Sequence, residues 1–406
     1  MNERKPQKQE PIVRTAECEA QPKEVDYDGE RLQVLNRHIQ GLIEEGIILS
    51  GSYCLWRHDK VFADVAIGGL ACPWQGRTAF LPDTFFEIQS VGKVFTAIAI
   101  LKLMEDGFLY LEQPVREWLS EFDREDFREI TIQHLLTHTS GLCALEGALP
   151  EPERKWWEAM DEDNVKDTWI PAIIKMGLHC KPGENWIYSI VNYALLGEII
   201  QRASGMDAEE FIRENILLPC QMHETHWRSW GTAEQVRRYN IANETDIRMA
   251  KEWETKGLPA MATQSYKWWK EIPDTAGAQM ATAREMMHLG EMLLRDGTYR
   301  GKRVLGREAL SLLFTNLLPE GTMDICWGHN RPIFYGAGMP IYSSKIDREQ
   351  ILSENVIYHE GSGTSVFLVD KQEDFVAMFQ TSFRKEFDWD PRAVKDTATI
   401  IWSGLR

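Results

Sequence analysis

The stretch Phe85-Phe86-Glu87-Ile88-Gln89-Ser90-Val91-Gly92-Lys93 decides how the rest of this chain is read. It continues as Val94-Phe95-Thr96-Ala97-Ile98-Ala99-Ile100-Leu101-Lys102-Leu103-Met104 and closes on Gly107. Only Thr96 and Lys102 interrupt the apolar run from Val94 to Met104. A helix that is apolar on every face is a buried helix, and Gly107 stands where a left-handed C-terminal cap is expected. Ser90 and Lys93 sit three residues apart at the start of that helix, a spacing that puts both on one face. They also lie at the positive end of the helix dipole. A serine hydroxyl is a weak nucleophile until a base takes its proton. A lysine is such a base when burial or a neighbouring cation brings its pKa toward neutrality. Ser-x-x-Lys by itself also arises by chance on solvated helix faces; its place on a central apolar helix sets this one apart.

Working outward, two short apolar runs precede the helix, Ile47–Trp56 and Val61–Ile67, split by Arg57-His58-Asp59-Lys60. That pattern predicts a β-hairpin. Before it, Leu32, Leu35, Ile39, Leu42 and Ile43 fall on one helical stripe that ends at Gly46. Residues 1–26 are polar and charged and are expected to form a flexible tail. Residues 109–275 carry more helix and loop signals. His134 and His138 have the i, i+4 spacing of metal ligands, but no glutamate follows His134 and no third ligand is evident, so structural histidines are expected. Trp156 and Trp157 fall in a loop-like acidic segment at 149–170, and Trp268 and Trp269 in a polar, aromatic segment at 229–275. Such rings either cluster locally or wall a cleft, which makes these four candidate substrate contacts. From Ala276 onward the chain reads as an amphipathic helix (Ala281–Leu294), strands at Val356–His359, Thr364–Val369 and Phe375–Gln380, and a closing helix at Asp390–Trp402. Strands at both ends with helices between them predict an α+β fold. One α/β domain, residues 27–108 and 276–406, is interrupted by a helical insertion at 109–275.

The chain has 406 residues, 43% of them hydrophobic and 26% charged, an ordinary globular composition. Its net charge of −17 argues against nucleic acid or an anionic membrane surface as partner. Its 7 cysteines are odd in number and include no C-x-x-C pair, so neither a disulfide framework nor a zinc ribbon is expected. No apolar leader and no stretch of membrane-span length is visible, which gives a cytoplasmic expectation for the chain as written. Nothing indicates a cofactor or metal, and the oligomeric state is not legible.

Three further motifs follow Ser90-x-x-Lys93. They are Ile132-Gln-His-Leu-Leu-Thr-His-Thr-Ser-Gly-Leu142, Lys181-Pro-Gly-Glu-Asn-Trp-Ile-Tyr188 leading into Ser189-Ile-Val-Asn-Tyr193, and His359-Glu360-Gly361. In this order the chain resembles the serine β-lactamase and penicillin-binding-protein superfamily over residues 30–402. Within it, the chain resembles the branch of class C β-lactamases, D-amino-acid peptidases and family VIII esterases. The resemblance implies a β-lactamase/transpeptidase-type fold, an antiparallel sheet flanked by helices with a mainly helical domain. It implies Ser90 as the acylated nucleophile, Lys93 assisting its deprotonation, and Tyr188 as the proton-shuttling phenol. His359-Glu360-Gly361 stands where β-lactamases have Lys-Thr-Gly and esterase-like members often have His-x-Gly. Ser362 and Ser90 would then supply the two backbone N–H groups of an oxyanion hole.

The activity implied is hydrolysis of esters or amides of a small substrate, a small-molecule ester, amide or peptide, through an acyl-enzyme on Ser90, with acyl transfer, or D-amino-acid peptidase or weak β-lactamase activity, as the alternatives and a non-catalytic module as the least favoured reading. Two departures bear on substrate. Ile190 replaces the asparagine of the usual Tyr-x-Asn motif and cannot bond a substrate amide. Glu360 puts a carboxylate beside the groove, where it would repel the carboxylate of a penicillin or a peptide C-terminus. Pro219-Cys220-Gln221-Met222, in place of Pro-Leu-Gly-Met, is a structural difference only.

Overall fold

The computed structural model describes residues 11–69, 80–150, 154–227, 231–236, 238–240, 271–362, 365–383 and 390–406. The expected hairpin is present as β2 (Ile48–Arg57) and β3 (Lys60–Gly68). His58 and Asp59, both with left-handed φ, make the turn between them. Preceding it are β1 (Val13–Thr15) and α1 (Gly29–Glu45). Gly46, at φ 78°, caps α1 in the left-handed conformation. Three later strands complete the sheet. Leaving the labels β4 to β6 for three short strands below, these are β7 (Ile357–Gly361), β8 (Ser365–Asp370) and β9 (Phe375–Phe383). The strand order is β1-β3-β2-β9-β8-β7, antiparallel throughout.

The expectation of a flexible tail over 1–26 fails for its second part. Val13–Thr15 pairs with Ile67–Val65 along the open edge of β3, and Ala20 and Val25 are buried. Three residues of edge strand carry no readable periodicity, but they satisfy backbone groups that β3 would otherwise leave unpaired.

Alternation along the strands sorts the sheet into two faces. Tyr53, Leu55, Phe375, Ala377 and Phe379 face one core with α1 and the C-terminal helix α7 (Thr397–Trp402). Cys54, Trp56, Val376 and Met378 face the other, larger core with α6 (Ala283–Leu294) and α2 (Lys93–Glu105). Every residue of α2 from Lys93 to Leu101 is buried. Each fully buried Ile, Leu or Phe there contributes about 1.5–3 kcal/mol. The same core continues into α3 (Ile132–Leu136), α4 (Val165–Lys175) and α5 (Ile190–Ser204).

Helix α4 corrects the loop expected at 149–170. Pro171 lies inside it and acidic residues flank its start, which hides the stripe of Val165, Trp169, Ile170 and Ile173 that it buries. Helix α3 stops at Leu136, because the Thr137 hydroxyl donates to the Gln133 carbonyl and His138 turns left-handed at φ 57°. Among the described residues no helix is long and apolar enough to cross a membrane.

Candidate active site

The nucleophile stretch does not start as α-helix. Gln89–Gly92 is a 3-10 turn, and α2 begins at Lys93. Gln89 takes φ 52°, a strained conformation for a residue with a side chain. Two backbone approaches hold the turn in place. On one side lies Gly361, at the end of β7, where a Cβ would come within 2.3 Å of the Ile88 carbonyl oxygen. On the other lies Gly277, φ 138°, where a Cβ would come within 2.1 Å of the Gln89 carbonyl oxygen. Short strands lock the register: β4 (Phe86–Glu87) and β5 (His226–Trp227) pair on either side of β6 (Gln279–Ala281).

Lys93 Nζ lies 3.0 Å from Ser90 Oγ and donates to the Ala276 carbonyl at 2.7 Å. The side chain is fully buried. Desolvation brings its pKa down to about 7, against a smaller upward pull from Asp274. Near neutrality Lys93 can therefore be unprotonated. One N–H then stays on Ala276, and the lone pair is free to accept the Ser90 proton. The segment carrying Ala276 is itself tied down: Thr96 Oγ1 donates to the Thr275 carbonyl at 2.7 Å, and Thr275 Oγ1 to the Tyr193 carbonyl at 2.8 Å. Because the base works only when neutral, kcat/KM for a neutral ester is expected to rise with pH through about 7 and then level off. A profile flat between pH 5 and 9 would remove Lys93 from that role.

Tyr188 is nearly buried, hydrogen-bonded to the Ser90 side chain, with its ring centroid 5.1 Å from Lys93 Nζ. Its backbone is pinned at both groups: the N–H donates to Cys326 Sγ at 3.3 Å, and the carbonyl accepts from the Leu145 N–H at 2.9 Å. Burial pushes the phenol well above its ordinary pKa. A Tyr188 phenolate sustained by the Lys93 charge is therefore not the resting arrangement, because Lys93 is itself half-neutral at pH 7. A neutral phenol bonded to Ser90 is placed to relay a proton toward a leaving group. Tyr188→Phe keeps the ring contacts with His138 at 4.5 Å and Trp327 at 5.9 Å. It is expected to melt like the parent while losing about a hundredfold or more in turnover. Unchanged turnover would make Tyr188 a packing residue.

His134 and His138 are not a ligand pair. His134 Nδ1 accepts the Thr131 N–H at 3.2 Å in a cap of α3, and His138 Nδ1 accepts the Ser189 N–H at 3.2 Å. The His138 ring lies among Tyr188, Tyr193, Trp186 and Tyr335. Asn192, the nearest asparagine after Tyr188, spends its amide on Ser140 and His138 inside the fold, so it does not replace the amide missing at Ile190. Ile190 itself is half-buried at the first turn of α5.

His359 is buried on β7, and Glu360 is half-buried beside it. Ser362 follows at φ 28°, so both expected oxyanion donors, its N–H and that of Ser90, belong to the two segments that meet at Gly361. Trp156 is buried in the main core with Trp157 against it, which makes them packing residues of the α4 region. Trp268 and Trp269 lie outside the described residues. Ala276, Gly277, Cys326 and Trp327 were not singled out from sequence; small residues and an isolated Trp-Gly give no local signal of what they meet in space.

The family model described as Beta-lactamase matches residues 35–398, and the chain belongs to that family. Penicillin-binding protein 4* of Bacillus subtilis strain 168 is 37% identical over 205 residues, 47% of this chain and 41% of that protein. The match thus spans less than half of that relative's length. Among solved structures, simvastatin synthase (LovD) from Aspergillus terreus superposes with TM-score 0.70 at 19% identity, covering 93% of this chain and 98% of its own. EstCE1, described as a hydrolase with promiscuous acyltransferase activity, superposes with TM-score 0.69 at 17% identity, covering 92% and 99%. At these identities the two structures establish the β-lactamase/transpeptidase-like fold.

Proposed function

We propose that this protein is a serine hydrolase that cleaves esters or amides of a small substrate through an acyl-enzyme on Ser90. The observation that carries the reading is the contact between a fully buried Lys93 and Ser90 Oγ at 3.0 Å, with Tyr188 bonded to the same hydroxyl. Ser90 attacks the carbonyl as Lys93 takes its proton, and Tyr188 returns a proton to the departing alcohol or amine. The N–H groups of Ser90 and Ser362 receive the oxyanion. Water then releases the acyl group. Acyl transfer to an alcohol or amine shares the first half of this sequence, and the hydrolase with acyltransferase activity among the structural neighbours favours keeping it as the second reading.

A fluorophosphonate probe should label the protein at Ser90, mapped by peptide mass, and block p-nitrophenyl butyrate hydrolysis in proportion. Label on another residue, or none, would end the hydrolase reading. Product analysis with added butanol separates the two fates of the acyl group.

A further inference from the structure

A residue outside the proton transfers grips the chain on both sides of Tyr188. Ile187 and Ser189 each give their backbone N–H to His138: Ile187 to its carbonyl oxygen at 2.8 Å, Ser189 to its ring nitrogen Nδ1 at 3.2 Å. The same ring lies against the Tyr188 ring, with centroids 4.5 Å apart. On the first turn of α5, the Asn192 oxygen accepts the Ser140 hydroxyl at 2.7 Å, which leaves its NH2 to donate to His138 Nδ1 at 3.3 Å. With two N–H groups aimed at it, Nδ1 is an acceptor, and the ring proton sits on Nε2. Burial, with Lys93 nearby, keeps the imidazole from taking a second proton. A proton on Nδ1 would face the Ser189 N–H, and the grip would fail.

His138 stands in the loop after α3, fully buried, with its backbone in the left-handed region at φ 57°. A residue with a side chain keeps that conformation only where its surroundings impose it. In this conformation the carbonyl and the ring reach residues 187 and 189 together. The rings of Tyr193, Trp186 and Tyr335 surround the imidazole at centroid distances of 5.2 to 5.7 Å, and in so dense a cluster it has little room to tilt.

We propose that His138 is the positioning residue of Tyr188: by holding Ile187 and Ser189 together, it fixes where the phenol stands against Ser90. It moves no proton itself and acts only through the place of Tyr188. A displacement of about 1 Å at a group that must meet a reacting atom is worth on the order of a hundredfold in rate. The inference rests on the serine-hydrolase reading for its consequence in rate, but not for the geometry.

Asparagine and glutamine at this position separate positioning from packing. In His138→Asn the side-chain oxygen falls where Nδ1 stood and can still accept from Ser189. In His138→Gln the amide lies one carbon farther out, at the place of Nε2, and Ser189 loses its acceptor. Glutamine fills more of the ring's volume, so packing alone would favour it. The substrates are p-nitrophenyl butyrate and ethyl butyrate, with active enzyme counted by fluorophosphonate labelling. They deliver the same acyl group, but p-nitrophenolate departs unprotonated, whereas ethanol needs the proton that Tyr188 carries. The ratio of their kcat/KM values should rise by about tenfold or more in His138→Gln, as in Tyr188→Phe, and stay within about threefold of the parent in His138→Asn. Added to Tyr188→Phe, His138→Gln should move the ratio little further, because the group it places is gone. A crystal structure of His138→Gln should show the phenol out of hydrogen-bond distance of Ser90 Oγ. An unchanged ratio in His138→Gln, a ratio raised as far in His138→Asn, or a phenol still on Ser90 would overturn the inference while hydrolysis stands. Absence of turnover of both esters by the parent would instead sink the hydrolase reading, and the crystal structure would then decide the positioning by itself.

Discussion

Ser90→Ala should reduce p-nitrophenyl ester hydrolysis by about ten-thousandfold or more, and Lys93→Ala nearly as far, with the double variant little worse than either. In the proposed mechanism the two side chains form one unit, because Ser90 Oγ, 3.0 Å from Lys93 Nζ, passes its proton there. Removing either therefore removes the same step, which is why the losses should not add. Lys93→Ala also leaves a hole in a fully buried site and frees the Ala276 carbonyl. Its melting temperature should fall, while that of Ser90→Ala should not. Steady-state rates on the purified variants beside thermal melts check both statements. A tenth of the parent rate remaining in Ser90→Ala would show that the nucleophile lies elsewhere.

Gly277→Ala should be the most damaging substitution outside the reacting groups. The added Cβ would lie 2.1 Å from the Gln89 carbonyl oxygen and 2.9 Å from the Ser90 nitrogen, both backbone atoms that cannot swing aside. The φ of 138° is itself closed to a residue with a side chain. Strain and overpacking together put the cost at about 2 to 6 kcal/mol. The chain can lessen it only by moving the turn that carries Ser90. A displacement of about 1 Å is worth on the order of a hundredfold in rate. Gly41→Ala is the comparison: no atom lies within 4 Å of its Cβ, in the middle of α1, and the change should stabilise by about 0.4–1 kcal/mol. Denaturant unfolding and ester hydrolysis of the two variants measure the difference. Parent-like behaviour of Gly277→Ala would mean that the Gln89–Ser90 turn is not held as described.

What was readable in advance was what local pattern controls. The all-apolar run of α2, the two-residue turn of the hairpin and the stripe of α1 each announce themselves, because burial on a helix or strand imposes its period on neighbouring residues. Ser90, Lys93, Tyr188 and His359 stand out as candidates because each is embedded in a local motif. Ala276, Gly277 and Trp327 do not, because what defines them is a contact with Lys93, Gln89 or Tyr188, far away in sequence. Helix α4 is hidden by Pro171, and of the two readings open for Trp156, local packing or lining a cleft, the structure shows packing, since the ring lies in the core with that helix. Proximity to a lysine suggests a lowered phenol at Tyr188, but the burial that lowers Lys93 raises Tyr188 as well.

Helix α2 has no solvent-facing side along its first nine residues, and the sheet, α6 and α5 close around it. Segments of that kind exchange their amide protons only when the whole molecule opens. Lys93 is therefore mounted on one of the slowest-breathing parts of the structure, and Ser90 sits in the 3-10 turn that leads directly into it. In the proposed hydrolase, adaptability toward different substrates then falls to the rim, to the turn bearing Trp327 and to the outer edge of β7, with Lys93 as a fixed point around which those parts adjust.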